Sequence, residues 1–135
     1  MALHLSRKHH AQLLKWAEQA GKEECCGLLL GQGEMVSELV NAANISADPC
    51  HHFEIDPATL IAAHKDARNG GPPIIGYFHS HPNGLARPSQ ADIAQAADDA
   101  RYWVIIANQS ISAWQPRSKG SQVVAFDAIP LIVEG

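Results

Sequence analysis

The chain has 135 residues, 46% of them apolar and 18% charged, with a formal net charge of −4. That is enough apolar material to build a core, so disorder is excluded, and the length suits one domain over residues 1–135. Ten Lys and Arg are spread thinly with no basic cluster or stripe, and apolar runs such as "VIIA" and "LIV" are far too short to span a bilayer. Neither nucleic acid nor a membrane is therefore an expected partner.

The opening "MALHLSRKHHAQ" lacks the apolar stretch and cleavage site of a signal peptide, so a cytoplasmic location is expected. Leu5 to Ala20 reads as a helix: Ser6 can cap it, Leu13, Leu14 and Ala17 recur at helical spacing, and Gly21 closes it. "CGLLLG" is a short apolar run between glycines and suits a buried strand. "EMVSELV" can pair with it through a turn at Gln32-Gly33. Cys25, Cys26 and Cys50 make no disulfide framework. Neighbours in an extended chain face opposite ways, so Cys25 and Cys26 are expected as separate small buried thiols rather than joint ligands.

"NAANISADPC" is loop by composition, and "HHFEI" is a short strand candidate. Asp56 followed by Pro57 announces a helix through about Arg68, which "NGGPP" breaks. "IIGYFHSH" is an apolar strand stopped by Pro82, and "PNGLARP" is a loop. An alanine-rich helix is expected from Ser89 to about Arg101. "YWVIIA", "ISAWQ" and "QVVAFDAI" are three further strand candidates. Helices interrupt strands early and strands run together late, which points to an α+β domain with helices packed on a mixed sheet.

The chemistry concentrates in "HSHPNGLARPSQAD". Residues two apart in a helix lie about 200° apart, whereas in a strand they share a face. His79 and His81 on a strand therefore project together, with Ser80 turned away. Two imidazoles side by side suit zinc, although a lone H-x-H also occurs at ordinary sheet edges. The loop after His81 is long enough to turn the chain back and bring a helix start near the strand end. Ser89 and Asp92, three apart, fit a reciprocal helix cap, and a carboxylate there also suits the positive helix end. A first-turn residue can still point at a metal, so the cap and the ligand readings of Asp92 both stand. Two histidines and one aspartate make three ligands, which leaves a coordination position open for water. Such a water needs a base, and spacing alone selects none of the glutamates and aspartates.

The H-S-H-P element, the serine and the aspartate resemble the motif of the JAMM (MPN-plus) zinc metalloproteases. That family carries an upstream glutamate, two residues and a glycine before an apolar strand. "EECCGLLLG" places Glu24 in that register, followed by Gly27 and Gly31, with Glu23 one residue off. No position of the core motif departs from the pattern. The resemblance implies a curved mixed β-sheet flanked by helices, with a cytidine-deaminase-like architecture. It implies one zinc ion per chain held by His79, His81 and Asp92. It implies Glu24 as general base and then general acid, and Ser89 as hydrogen-bond donor to the oxyanion. It also implies a substrate: a peptide or isopeptide bond after the Gly-Gly tail of a ubiquitin-like or sulfur-carrier protein. The short chain leaves no room for the long insertions of members that read polyubiquitin, and two copies could pair through a sheet edge.

Only one of His51 and His52 could approach such a metal, and surface or structural roles are expected for both. His9, His10 and His64 are expected on solvated helix faces. Trp16, Trp103 and Trp114 are expected in a core or interface, and Asn83 and Arg87 beside the site. A non-catalytic scaffold of the same fold is the competing reading, and the full set of Glu24, His79, His81, Ser89 and Asp92 speaks against it. A zinc deaminase needs H-x-E and P-C-x-x-C, and neither is present. An all-β metal enzyme is disfavoured by the helix expected after Pro88.

Overall fold

A computed structural model describes all 135 residues. In chain order the elements are β1 (Leu3–Ser6), α1 (Arg7–Ala20), β2 (Cys26–Gln32), β3 (Met35–Ala42), α2 (Pro57–Arg68) and β4 (Ile74–Ser80). Then come α3 (Gln90–Gln95), β5 (Tyr102–Ala107), β6 (Ser110–Lys119), β7 (Gln122–Ile129) and β8 (Leu131–Glu134). The eight strands form one mixed sheet in the order β7-β6-β5-β4-β2-β3-β1-β8. This is the α+β arrangement that the sequence indicates.

The central strands are apolar throughout because both of their faces are covered. On one face α1 lays Leu13, Leu14, Trp16 and Ala17 against Leu29, Phe78 and Val104. On the other, Ala63 and Leu60 of α2 pack with Leu28, Leu30, Ile74 and Trp103. Adjacent Cys25 and Cys26 enter these two clusters separately, as strand alternation requires. All three thiols are free. Gly27 lies opposite Phe78, and a Cβ there would fall 2.0 Å from the Val40 carbonyl oxygen and 2.5 Å from the Phe78 ring. Its missing side chain lets β2 sit tightly between β3 and β4.

Four expectations need correction. The first helix starts at Arg7, with Ser6 as its cap accepting from the His9 N–H at 3.0 Å. Leu3 to Ser6 instead form β1, whose partner β8 lies at the other end of the chain. The turn after β2 falls at Gly33-Glu34, and Gly33 takes the φ of +60° that glycine tolerates. "HHFEI" is irregular, with only an Asn44–Ile55 bridge, because Phe53 and Ile55 are drawn into the α2 cluster. The helix after Ser89 stops at Gln95 rather than near Arg101. Beyond it, Asp98 accepts from the Ser118 hydroxyl and Asp99 from the Tyr77 hydroxyl. Two carboxylates would also oppose the negative end of a longer helix.

β4 and β5 are parallel, so the chain between them must cross back over the sheet. That crossover, residues 81–101, leaves the carboxyl end of β4, where sites in sheets with parallel strands collect. No helix is long and apolar enough to cross a membrane.

Candidate active site

The two imidazoles at the end of β4 do project together, with their Nε2 atoms 3.0 Å apart. Ser80 turns away, and its hydroxyl oxygen accepts the Cys25 N–H at 2.8 Å. The crossover returns α3 to this point. Ser89 caps it: its hydroxyl oxygen accepts the Asp92 N–H at 3.1 Å, and Asp92 Oδ2 accepts the Ser89 N–H at 2.9 Å. The same carboxylate places Oδ1 3.0 Å from His79 Nε2 and Oδ2 3.0 Å from His81 Nε2. Asp92 therefore closes the cap and meets both histidines at once, so the two readings of this residue are compatible.

The donor set fits a divalent cation. His81 Nδ1 lies 2.9 Å from the Leu85 carbonyl oxygen, so that nitrogen carries a proton and donates it. In neutral His81, Nε2 is then a bare lone pair facing a carboxylate oxygen and a second imidazole nitrogen. A cation among these atoms turns mutual repulsion into ligation. Tetrahedral zinc with bonds of about 2.0–2.1 Å sets its ligand atoms roughly 3.3 Å apart, close to the spacing here. One ligand atom from each of the three residues lies within 4.8 Å of the others. Burial is nearly complete: His79 is 0% and Asp92 3% exposed. Burial pushes the His79 imidazole down, which keeps it neutral as a ligand must be. Burial alone would also lower His81, but the Asp92 and Leu85 hydrogen bonds and nearby carboxylates carry it above its usual value. Burial opposes ionisation of Asp92 as well, yet its two histidine partners hold it well below the carboxylate range.

Glu24 arrives by strand register. Cys26 pairs with His79, and the Ser80 N–H donates to the Cys25 carbonyl at 3.0 Å. Carried one step further, that antiparallel register sets Glu24 across from His81. Its backbone is clamped by the loop after β3: its N–H donates to the Pro49 carbonyl at 2.8 Å, and its own carbonyl accepts from Asn44 Nδ2 at 3.0 Å. The side chain is buried, and burial pushes its carboxyl up to about 7. A carboxyl poised there can both take and return a proton near neutral pH.

Glu24, His81, Arg87 and Ser89 line one open cleft of about 320 Å³. Asn83 and His51 also line it, with His51 held 3.0 Å from Asp48 rather than among the ligands. His52 is exposed. His9 is not simply solvated: its Nδ1 is buried without a hydrogen-bond partner. Trp103 is core, as expected, and also does more. Its ring meets the His79 ring edge-on at 5.5 Å, while Phe53 stacks on the same imidazole at 4.3 Å. These two rings fix the orientation of His79. The sequence alone assigns none of Asn44, Phe53 and Trp103 to the site. Only Asn44 left a local signal, an asparagine in a loop whose Oδ1 accepts from Ser46 two residues on.

The chain belongs to the prokaryotic homologues of the JAB domain, whose family description matches residues 6–117. A probable TtuB-protein conjugate cleaving protease of Thermus thermophilus is 31% identical over 110 residues, covering 82% of this chain and 70% of that protein. Tail tip assembly protein K of Escherichia phage N15 is 30% identical over 98 residues, covering 71% of this chain. The match spans only 38% of the phage protein's length. The solution structure of protein DSY2949 from Desulfitobacterium hafniense superposes with a TM-score of 0.82 at 30% identity, covering 99% of this chain and 93% of that one.

Proposed function

We propose that this protein is a zinc-dependent peptidase, one domain over residues 1–135, with His79, His81 and Asp92 as ligands. The reading is carried by one observation: these three side chains converge on a point beside a cleft that Glu24 and Ser89 also line. The substrate proposed is a peptide or isopeptide bond after the Gly-Gly tail of a ubiquitin-like or sulfur-carrier protein. The Thermus relative, named for cleaving TtuB conjugates, supports that class. Burial of the ligands supports the glycines, since only a chain without side chains brings its backbone close to a recessed ion. Three free cysteines suit a reducing compartment, and the cytoplasm is the proposed location. The open edge β8 exposes Ile132 and Val133 and supports pairing of two copies there.

Bound zinc would supply a Lewis acid for the scissile carbonyl and lower the pKa of the attacking water. Glu24 takes that water's proton and passes it to the leaving amine. One carboxyl beside the ligands can serve both halves of the transfer. The Ser89 hydroxyl oxygen accepts the Asp92 N–H, which leaves its own proton free to donate to the carbonyl oxygen as charge develops.

The test is incubation of zinc-loaded protein with a small carrier extended beyond Gly-Gly, read by intact mass. The extension should be lost, and a chelator should block the loss. Glu24→Gln should retain one zinc per chain and slow hydrolysis by about 10²–10⁴. A zinc-loaded protein that trims nothing, or a Glu24→Gln variant as active as the parent, would contradict the proposal.

A further inference from the structure

Arg87 is the one Lys or Arg side chain that lines the cleft, amid Glu24 and the Asp48–His51 pair at its rim. It is exposed and makes no ion pair with any carboxylate of the chain, unlike Arg101 and Arg117. Its loop is nonetheless held firmly. The Leu85 carbonyl accepts from the Arg87 N–H at 2.7 Å and pairs with His81 Nδ1 at 2.9 Å. The Ala86 carbonyl accepts from the Ser112 hydroxyl at 2.6 Å, and that oxygen in turn accepts from Trp114 Nε1 at 2.8 Å. Pro88 follows and stiffens the exit toward Ser89. A fixed backbone thus presents an unpaired guanidinium two residues from the proposed oxyanion donor.

We infer that Arg87 is a specificity residue that grips a carboxylate on the leaving segment of the substrate. This rests on the peptidase reading above. Guanidinium and carboxylate match as planar, two-pronged partners, and the pair is strong where water is partly displaced. A glycine tail on the acyl side brings no charge of its own. A linear extension of one or two residues always ends in an α-carboxylate, roughly 3.5–7 Å beyond the scissile bond. Apart from the zinc ion of the peptidase reading, Arg87 is the one Lys or Arg in the cleft that such a group can meet. The favoured substrate is therefore a carrier with a short linear extension and a free carboxyl terminus; an acidic side chain next to the bond offers the same chemistry.

Calorimetry on zinc-loaded Glu24→Gln protein separates these sources. The probes are acetyl-Gly-Gly-Ala with a free carboxylate, its carboxamide, and acetyl-Gly-Gly-Glu carboxamide. The free acid should bind about tenfold or more tighter than the amide. Adding Arg87→Ala should bring that ratio near one, and Arg87→Lys should keep part of it. Tighter binding of the glutamate amide than of the alanine amide assigns the grip to a side-chain carboxylate as well. In protein with Glu24 intact, Arg87→Ala should raise KM for a free-acid extension and leave kcat little changed. An acid preference that survives Arg87→Ala places the carboxylate on the metal instead and overturns the inference, as does the absence of any preference. Should the preference hold and depend on Arg87 while no substrate is hydrolysed, the peptidase reading fails and only carboxylate binding by Arg87 stands. Hydrolysis indifferent to Arg87 gives the reverse.

Discussion

Burial raises the Glu24 carboxyl from 4.5 to about 7, and that shift has a consequence for stability without metal. Between those values the folded chain holds a proton that the unfolded chain has released. Stability of the metal-free protein therefore falls as pH rises through this window. Glu24→Gln removes the penalty. In metal-free protein its Tm should match the parent near pH 4 and exceed it at pH 8; equal values at both would show a carboxyl with no such penalty. Ser89 needs its cap role separated from its proposed catalytic one. Ser89→Ala should cost about 0.5–2 kcal/mol as a lost cap, whereas Ser89→Gly costs only a few tenths. Both should lower kcat by about 10²–10³ if the hydroxyl serves the oxyanion, so a Ser89→Gly enzyme with full kcat would leave only the cap. The histidine pair was legible because strand alternation is a two-residue rule, and Asp92 because a helix start announces itself. Glu24 emerged only through resemblance, since its approach to His81 depends on pairing between distant segments. Nothing local ties Phe53 or Trp103 to the site, because they lie 26 and 24 residues from the histidine they orient.

Among the elements, β2 sets the spacing of the whole site. Gly27 lets it close on β3 and β4, and a methyl group there meets the Val40 carbonyl and the Phe78 ring. Gly27→Ala should destabilise the fold by at least about 1–3 kcal/mol, measured by denaturant unfolding, and reduce activity even where the variant still folds. Unchanged stability would show that β2 can move away without cost. The elements that could be read from sequence are those whose local signals agree with their packing. α2 has its Asp56 cap and first-turn proline, and β2, β4 and β5 are dense apolar runs. β1 and β8 are only four residues each and stabilise one another from opposite ends of the chain, so neither has a local signature. α3 was overestimated because alanine propensity is weak beside the side-chain hydrogen bonds that capture Asp98 and Asp99.

At the scale of the molecule, two helices cover opposite faces of one sheet, and the site opens where the parallel pair β4 and β5 ends. The layered class followed from the order of patterns, but the strand order did not, because it is fixed by non-local pairing. What the architecture achieves is delivery: β4 brings both imidazoles, the crossover brings Asp92 and Ser89, and register with β2 brings Glu24. The most direct measurement is an anomalous difference map at the zinc edge from crystals grown with equimolar zinc. One peak is expected, about 2.0–2.2 Å from His79 Nε2, His81 Nε2 and an Asp92 oxygen, with Glu24 outside the first ring of ligands. No ion at that point, or an ion held elsewhere in the chain, would contradict the account.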